Sequence, residues 1–195
     1  MSDNQPSGRE RVVRAAYELF SRNGIRAVGI DTIIDEASVA KMTLYRNFSS
    51  KDELVLDFLR RREQLWTDGW LRAEVGRRAP DPVGRLLAIF ELFDEWFREP
   101  DFEGCAFITT MVEFADRSSL VRQASVEHLA YIRGFLRQLA IDAGLPEPDR
   151  FARQWHILMK GSIVAATEGD ERAAGQAREL GLLLLRSHGL ASHPA

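Results

Sequence analysis

Apolar residues recur three and four positions apart along nearly all of this 195-residue chain, and no stretch alternates with period two or concentrates Val, Ile and Thr. Spacing of that kind gathers side chains on one face of a helix, whereas a half-buried strand needs period two. The chain is therefore expected to be all-α, with about nine helices. The first should cover residues 9–23, burying Val12, Ala16, Leu19 and Phe20, and stop at Gly24, the residue type best suited to a left-handed C-cap. Two short helices follow at about 31–37 and 41–47. Ser50 and Glu53 have the spacing of a capping box and open a fourth helix that reaches about residue 78. Asp81 and Pro82, a cap and a first-turn proline, start a fifth that ends near residue 98. The rest are expected at 105–116, 119–143, 148–168 and 170–187, punctuated by Gly144, Pro146, Gly169 and Gly189.

The chain is long enough to bury a core without staples. Its single cysteine, Cys105, excludes an intramolecular disulfide and suits a reducing compartment. The thiol reads as a small buried hydrophobe, with a redox or electrophile sensor as the alternative. No apolar run reaches the roughly 18 residues of a membrane span. Polar residues 1–8 lack the apolar stretch of a secretory signal and read as a frayed arm. A cytoplasmic protein without a membrane partner is expected. His128, His156, His188 and His193 show no two-His helical spacing, and none has a Glu three residues before it, so no metal or other cofactor is expected. Asp94 with Glu95, and Asp142 with Glu147, read as solvated surface, which leaves no catalytic set and argues against an enzyme.

Net charge is −3, but it is unevenly spread: residues 1–62 hold 11 Lys/Arg against 9 Asp/Glu, while residues 63–195 hold 15 against 20. The basic excess falls where the helices are short. Three short helices in the first 50 residues, with a turn at Ser38, Val39 and Ala40 between the last two, match a helix-turn-helix unit. Ile33, Ile34, Ala37, Val39 and Leu44 would pack its inside. The third helix would expose Lys41, Met42, Thr43, Tyr45, Arg46 and Asn47, groups able to meet phosphates and base edges. Pattern alone leaves an ordinary αα corner as the competing reading.

Residues 29–54, GIDTIIDEASVAKMTLYRNFSSKDEL, carry a more specific signal: Thr-Leu-Tyr at 43–45, Phe48, and Ser50-Lys51 opening the fourth helix. This stretch resembles the signature of the tetracycline-repressor family of transcriptional regulators. The resemblance implies a DNA-binding domain at 1–52 and a ligand-sensing and dimerisation domain at 53–195. It implies that Thr43 and Tyr45 contact the DNA backbone, that Lys51 contacts phosphate, and that Lys41, Met42 and Arg46 approach base edges. The first turn of a helix, where Lys51 stands, itself favours a phosphate. Arg and Lys favour guanine, and Met42 suits a thymine methyl. The sequence departs from the family pattern at Ser38, where a turn glycine is common, at Ala40 for serine, and at Asn47 for histidine. Gly29 stands where Ser or Thr often precedes the second helix, a position glycine tolerates as an N-cap.

Residues 65–135 concentrate Trp66, Trp70, Phe90, Phe93, Trp96, Phe97, Phe107, Met111, Phe114 and Phe135. Most are expected in the core, with Trp66, Trp70, Phe93, Trp96, Phe107, Met111 and Phe114 as candidates to line a cavity for an apolar or aromatic effector. The last two helices carry Trp155, Leu158, Ser162 and Ala166, then Leu180 and Leu184, with Gly161 and Ala165 permitting close approach. Leucines facing several directions require two partners, which suggests a two-fold interface between copies of the chain. The functional expectation is a ligand-responsive regulator, most simply a repressor, that binds a palindromic operator as a homodimer. An activator, a helical enzyme and a protein-binding adaptor are the alternatives.

Overall fold

The computed structural model describes residues 6–190. Nine helices occur among them: α1 (Gly8–Asn23), α2 (Ile30–Ala37), α3 (Lys41–Asn47), a long α4, α5 (Pro82–Phe97), α6 (Ala106–Glu113), α7 (Leu120–Asp142), α8 (Pro148–Thr167) and α9 (Ala173–Ser187). The α4 helix runs as Lys51–Arg62, Glu63–Arg72 and Ala73–Arg78, and its middle stretch widens to π-helical i→i+5 bonding. The fold is all-α, as the periodicity requires, and no strand occurs among the described residues.

Several local expectations are corrected. Ser7 and Gly8 do not fray: the Ser7 hydroxyl accepts from the Glu10 amide while the Glu10 carboxylate accepts from the Ser7 amide, a reciprocal capping box. Residues 1–5 of the expected arm, and His193, lie outside the described residues. At the start of α4 only half of the expected box forms. Ser50 Oγ accepts from the Glu53 amide, but the Glu53 carboxylate reaches back to the Ser49 amide and hydroxyl instead of the Ser50 amide. Gly24 ends α1 with φ 74°, yet its ψ of 168° is extended, not that of a left-handed helical cap. The α6 helix stops at Glu113 because the Arg122 guanidinium takes the carbonyls of Met111 and Phe114. Helix α9 begins only at Ala173 because the Asp170 side chain accepts from the Arg172 amide and holds a turn ahead of it.

The chain forms two compact units. Of the described residues, one contains those up to Glu63 together with Cys105–Glu127, and the other Gln64–Gly104 with those from His128 onward. In the first, Val12, Val13, Ala16 and Phe20 of α1 bury against Ile33 and Ala37 of α2, Leu44 of α3, and Leu54, Val55 and Phe58 of α4. Phe58 meets the rings of Tyr17 and Phe20 edge-on, each with centroids 5.5 Å apart. Leu19, expected inside, is half-buried.

In the second unit, α5 is buried along most of its length and packs against α9. Trp155 of α8 is stacked on Phe151 and tilted on Phe90, both at 5.3 Å. The glycine that permits this close packing is Gly181 of α9, where a Cβ would stand 2.8 Å from Trp155 Cη2. Gly161, expected to serve that purpose, is exposed, with open space where its Cβ would go.

Candidate nucleic-acid interface

The turn between α2 and α3 is built from three residues. Ser38 takes the left-handed conformation (φ 50°, ψ 50°), which brings its amide to the Asp35 carbonyl at 3.1 Å and the Val39 amide to the Ile34 carbonyl at 3.2 Å. The freed Ser38 carbonyl accepts from the Arg11 guanidinium of α1 at 3.0 Å. Ala40 is the extended N-cap of α3. It offers no side-chain cap, but its carbonyl accepts from the Thr43 amide at 2.8 Å. Leu44 and Phe48 turn inward at 0% and 2% exposure and fix the rotation of α3.

That rotation leaves Lys41, Met42, Tyr45 and Arg46 outward, with Met42 70% and Tyr45 45% exposed. Thr43 and Asn47 are half-buried. The Thr43 methyl faces Gly8, where a Cβ would come within 2.6 Å of it, and the Asn47 amide donates to the Thr43 carbonyl at 2.7 Å. Lys41 pairs with Asp31 at 3.1 Å, which holds the lysine pKa above its ordinary value; with both partners exposed, the pair is a weak tether. Gly29 is the N-cap of α2, exposed and without a side-chain cap. Lys51 differs from the other cations. Its ammonium donates to the Ile25 carbonyl at 2.6 Å and lies 5.9 Å from the Phe20 ring centroid, and burial pulls its pKa below that of an ordinary lysine.

Of the residues expected to line an effector cavity, the second unit brings four together. Trp66 lies 5.2 Å from Trp70, 6.2 Å from Phe93 and 4.9 Å from Trp96. Phe97 and Phe102 extend the cluster from Trp96, at 5.5 and 4.9 Å. Phe93 is fully buried and the three tryptophans half-buried, and the Trp66 indole nitrogen is buried with no hydrogen-bond partner among the described residues. Phe107, Met111 and Phe114 belong to the first unit. There Phe107 is buried, while Phe114 is half-buried with the Arg26 guanidinium 5.8 Å from its ring centroid. In the second unit a buried polar pair, Thr67 and His128, is bonded at 3.2 Å.

The residues expected at a subunit interface divide. Trp155 and Ser162 face the core of their own unit, at 0% and 4% exposure, the Ser162 hydroxyl donating to the Met159 carbonyl at 2.9 Å. Leu158, Ala166 and Leu184 are half-buried, and Leu180 is 52% exposed. Beside them stand Leu183, part of the leucine run of the last helix, and Ile157 and Val164, exposed residues that the sequence reading did not single out. Sequence reading also missed Arg11, whose bond to the Ser38 carbonyl joins residues 27 apart, because no local pattern marks it. Cys105 is half-buried at the N-cap of α6.

A turn of this geometry, set between α2 and an outward-facing α3 and braced by α1, defines a helix-turn-helix DNA-binding protein. The profile of the bacterial regulatory proteins of the tetR family matches residues 12–58, and that of the tetracyclin repressor-like C-terminal domain matches residues 82–180. The chain belongs to the tetR family of transcriptional regulators. It is 39% identical over 100 residues to the HTH-type transcriptional activator FasR of Mycolicibacterium smegmatis, a match covering 51% of this chain and 44% of that protein. It is 21% identical over 155 residues to the HTH-type transcriptional regulator YjdC of Escherichia coli, covering 80% and 81%. Among solved structures, SCO4454, a TetR-family transcriptional regulator from Streptomyces coelicolor, superposes with a TM-score of 0.83 at 28% identity, over 94% of this chain and 96% of that one. No described helix is long and apolar enough to cross a membrane.

Proposed function

We propose that the chain is a ligand-responsive repressor that binds a palindromic operator as a homodimer and carries no catalytic chemistry. The observation that supports this reading best is the outward face of α3, where Met42 and Tyr45 stand exposed beside Lys41 and Arg46 while Leu44 anchors the helix from behind. An exposed methionine and tyrosine between two cations suit a major groove, where apolar contact meets thymine methyls and cations meet guanine and phosphate. An ammonium carries three N–H donors, so Lys51 joins them by meeting a phosphate while keeping the Ile25 carbonyl as one of its acceptors. Thr43, Asn47 and the Gly29 backbone flank this surface as further contacts to the DNA backbone.

Dimerisation is assigned to the exposed apolar side chains of α8 and α9, with Leu180 and Leu183 on α9 and Ile157 and Val164 on α8, and with Leu158, Ala166 and Leu184 at their margin. Two-fold symmetry would set two α3 helices about one DNA turn apart and make the operator palindromic. The Trp66, Trp70, Phe93 and Trp96 cluster supports an apolar or aromatic effector, as do Phe107, Met111 and Phe114 within their own unit. Its binding would favour a state with the wrong α3 separation, and by linkage DNA would weaken effector binding by the same factor. FasR is named an activator, so activation is the second reading.

Selection from random-sequence duplexes, followed by sequencing, tests the proposal. Enrichment of a palindrome by the unmodified chain, lost in a Tyr45→Phe, Lys51→Ala double variant, is expected. Failure to enrich any sequence at low salt would refute it. Placing the selected operator across a promoter then separates repression from activation.

A further inference from the structure

We infer that Glu113 is a positioning residue for DNA contact: from the end of α6 its carboxylate holds the Gly24–Arg26 loop and, through the Ile25 carbonyl, sets where Lys51 stands. The inference rests on the proposed phosphate-binding role of Lys51.

One oxygen of Glu113 accepts both the Ile25 amide, at 3.0 Å, and the Arg26 amide, at 3.2 Å. A charged acceptor on two backbone donors makes a strong, directional anchor. The other oxygen occupies the space that a Cβ at Gly24 would fill, so the bare α-carbon of Gly24 is what admits the carboxylate. Next along the chain, Phe114 lies under the Arg26 guanidinium, a second contact between the same two segments. Ile25 is pinned from below by burial at 2% exposure. Its amide and its carbonyl are therefore engaged from opposite sides, by Glu113 and by Lys51 at 2.6 Å. The Glu113 charge also favours the protonated form of Lys51, against the burial that disfavours it.

These partners lie 88 and 87 residues apart in sequence, so nothing local to either segment requires the contact. The helix that ends on Glu113 also carries Phe107 and Met111, two of the residues proposed to meet the effector. A ligand that shifts α6 along its axis would move the carboxylate, the loop and the Lys51 acceptor together. A purely structural staple would affect stability alone, whereas a positioning residue makes its effect on DNA conditional on Lys51.

The test is a double-mutant cycle, reading affinity for the selected operator by fluorescence anisotropy at fixed salt. Glu113→Ala is expected to weaken binding by about fivefold or more. In a Lys51→Ala background the same change should add nothing. Glu113→Gln, whose amide oxygen still accepts both backbone donors, should stay within about twofold of the unmodified chain. Amide exchange at Ile25 and Arg26 should quicken in Glu113→Ala only. Should that variant fail to fold, Glu113→Asp, which keeps the charge and withdraws it by one methylene, carries the same cycle. Unchanged affinity in folded Glu113→Ala, or in Glu113→Asp where it takes its place, or additive losses with Lys51→Ala, would overturn the inference while leaving the DNA-binding reading intact. No binding by the unmodified chain would overturn both.

Discussion

Substituting Gly181 by alanine sets helix propensity against packing, and the structure decides which wins. Alanine in a helix interior is favoured over glycine by about 1 kcal/mol. At position 181, however, the new methyl would sit 2.8 Å from Trp155 Cη2, 3.1 Å from Trp155 Cζ3 and 3.3 Å from Phe90 Cε2, so the indole must retreat to at least the 3.4 Å of ordinary contact. It has little room to do so. Trp155 and Phe90 are 0% and 1% exposed, and Phe151 stacks on the indole at 5.3 Å. Overpacking a closed core costs about 1–3 kcal/mol, leaving a net loss of about 1 kcal/mol, or a Tm lower by about 2–4 °C. Gly134→Ala on α7 is the matched control, because its site is exposed and open. It should gain roughly the propensity term and raise Tm by a similar amount. Thermal unfolding of the two variants beside the parent checks the argument. Equal shifts of the same sign would refute the claim that Gly181 is fixed by the Trp155 contact.

Ser38→Gly relieves a left-handed residue of about 1 kcal/mol of strain and returns about half of that to the freer unfolded chain, so Tm should rise by about 1–2 °C with operator affinity unchanged. A fall in Tm would show that the serine side chain supports the turn. His156 is held neutral by burial, with Lys160, Arg133 and His128 adding to the effect, and its pKa is pushed down to about 3. Because the unfolded chain takes up that proton from about pH 6.5 downward, the fold should lose about 2 kcal/mol between pH 7 and 5 that His156→Gln does not lose. Denaturant unfolding at both pH values reads the difference, and equal losses would contradict the burial argument. Leu183→Glu and Leu180→Glu should each raise the dimer dissociation constant about tenfold or more, because each forfeits a buried leucine at the proposed interface. Sedimentation equilibrium measures it, and an unchanged constant would remove α9 from the interface.

Helical periodicity and punctuation were enough to place the nine helices, since Gly24, Pro82, Gly144 and Gly169 mark ends that depend on backbone chemistry alone. Four of the six residues expected outward on α3 were legible for the same reason: with Leu44 inside, helical geometry leaves Lys41, Met42, Tyr45 and Arg46 on the other side, whereas Thr43 and Asn47 are half-buried, the one facing Gly8 and the other bonded to its own helix. What the sequence could not show were contacts made across long separations. The inward turn of Lys51 onto Ile25 depends on how α4 meets the end of α1, and the Glu113 carboxylate reaches that loop from α6. Trp155 looked as available as Leu180 because a helix that is apolar on several faces does not reveal which of them meets its own core. That was settled by the gap at Gly181, a residue whose role appears only in the packed structure.

The central claim, that the outward face of α3 reads DNA, is tested most directly by titrating the selected operator with the unmodified chain, Met42→Ala and Arg46→Ala, with Tm recorded for each. Both side chains are exposed, so their removal should leave Tm unchanged. If they meet base edges, each loss should cost about 1–3 kcal/mol of binding, roughly fivefold to a hundredfold in affinity, and relax sequence preference at one position of each half-site. Operator affinity that stays the same in both variants would contradict the account.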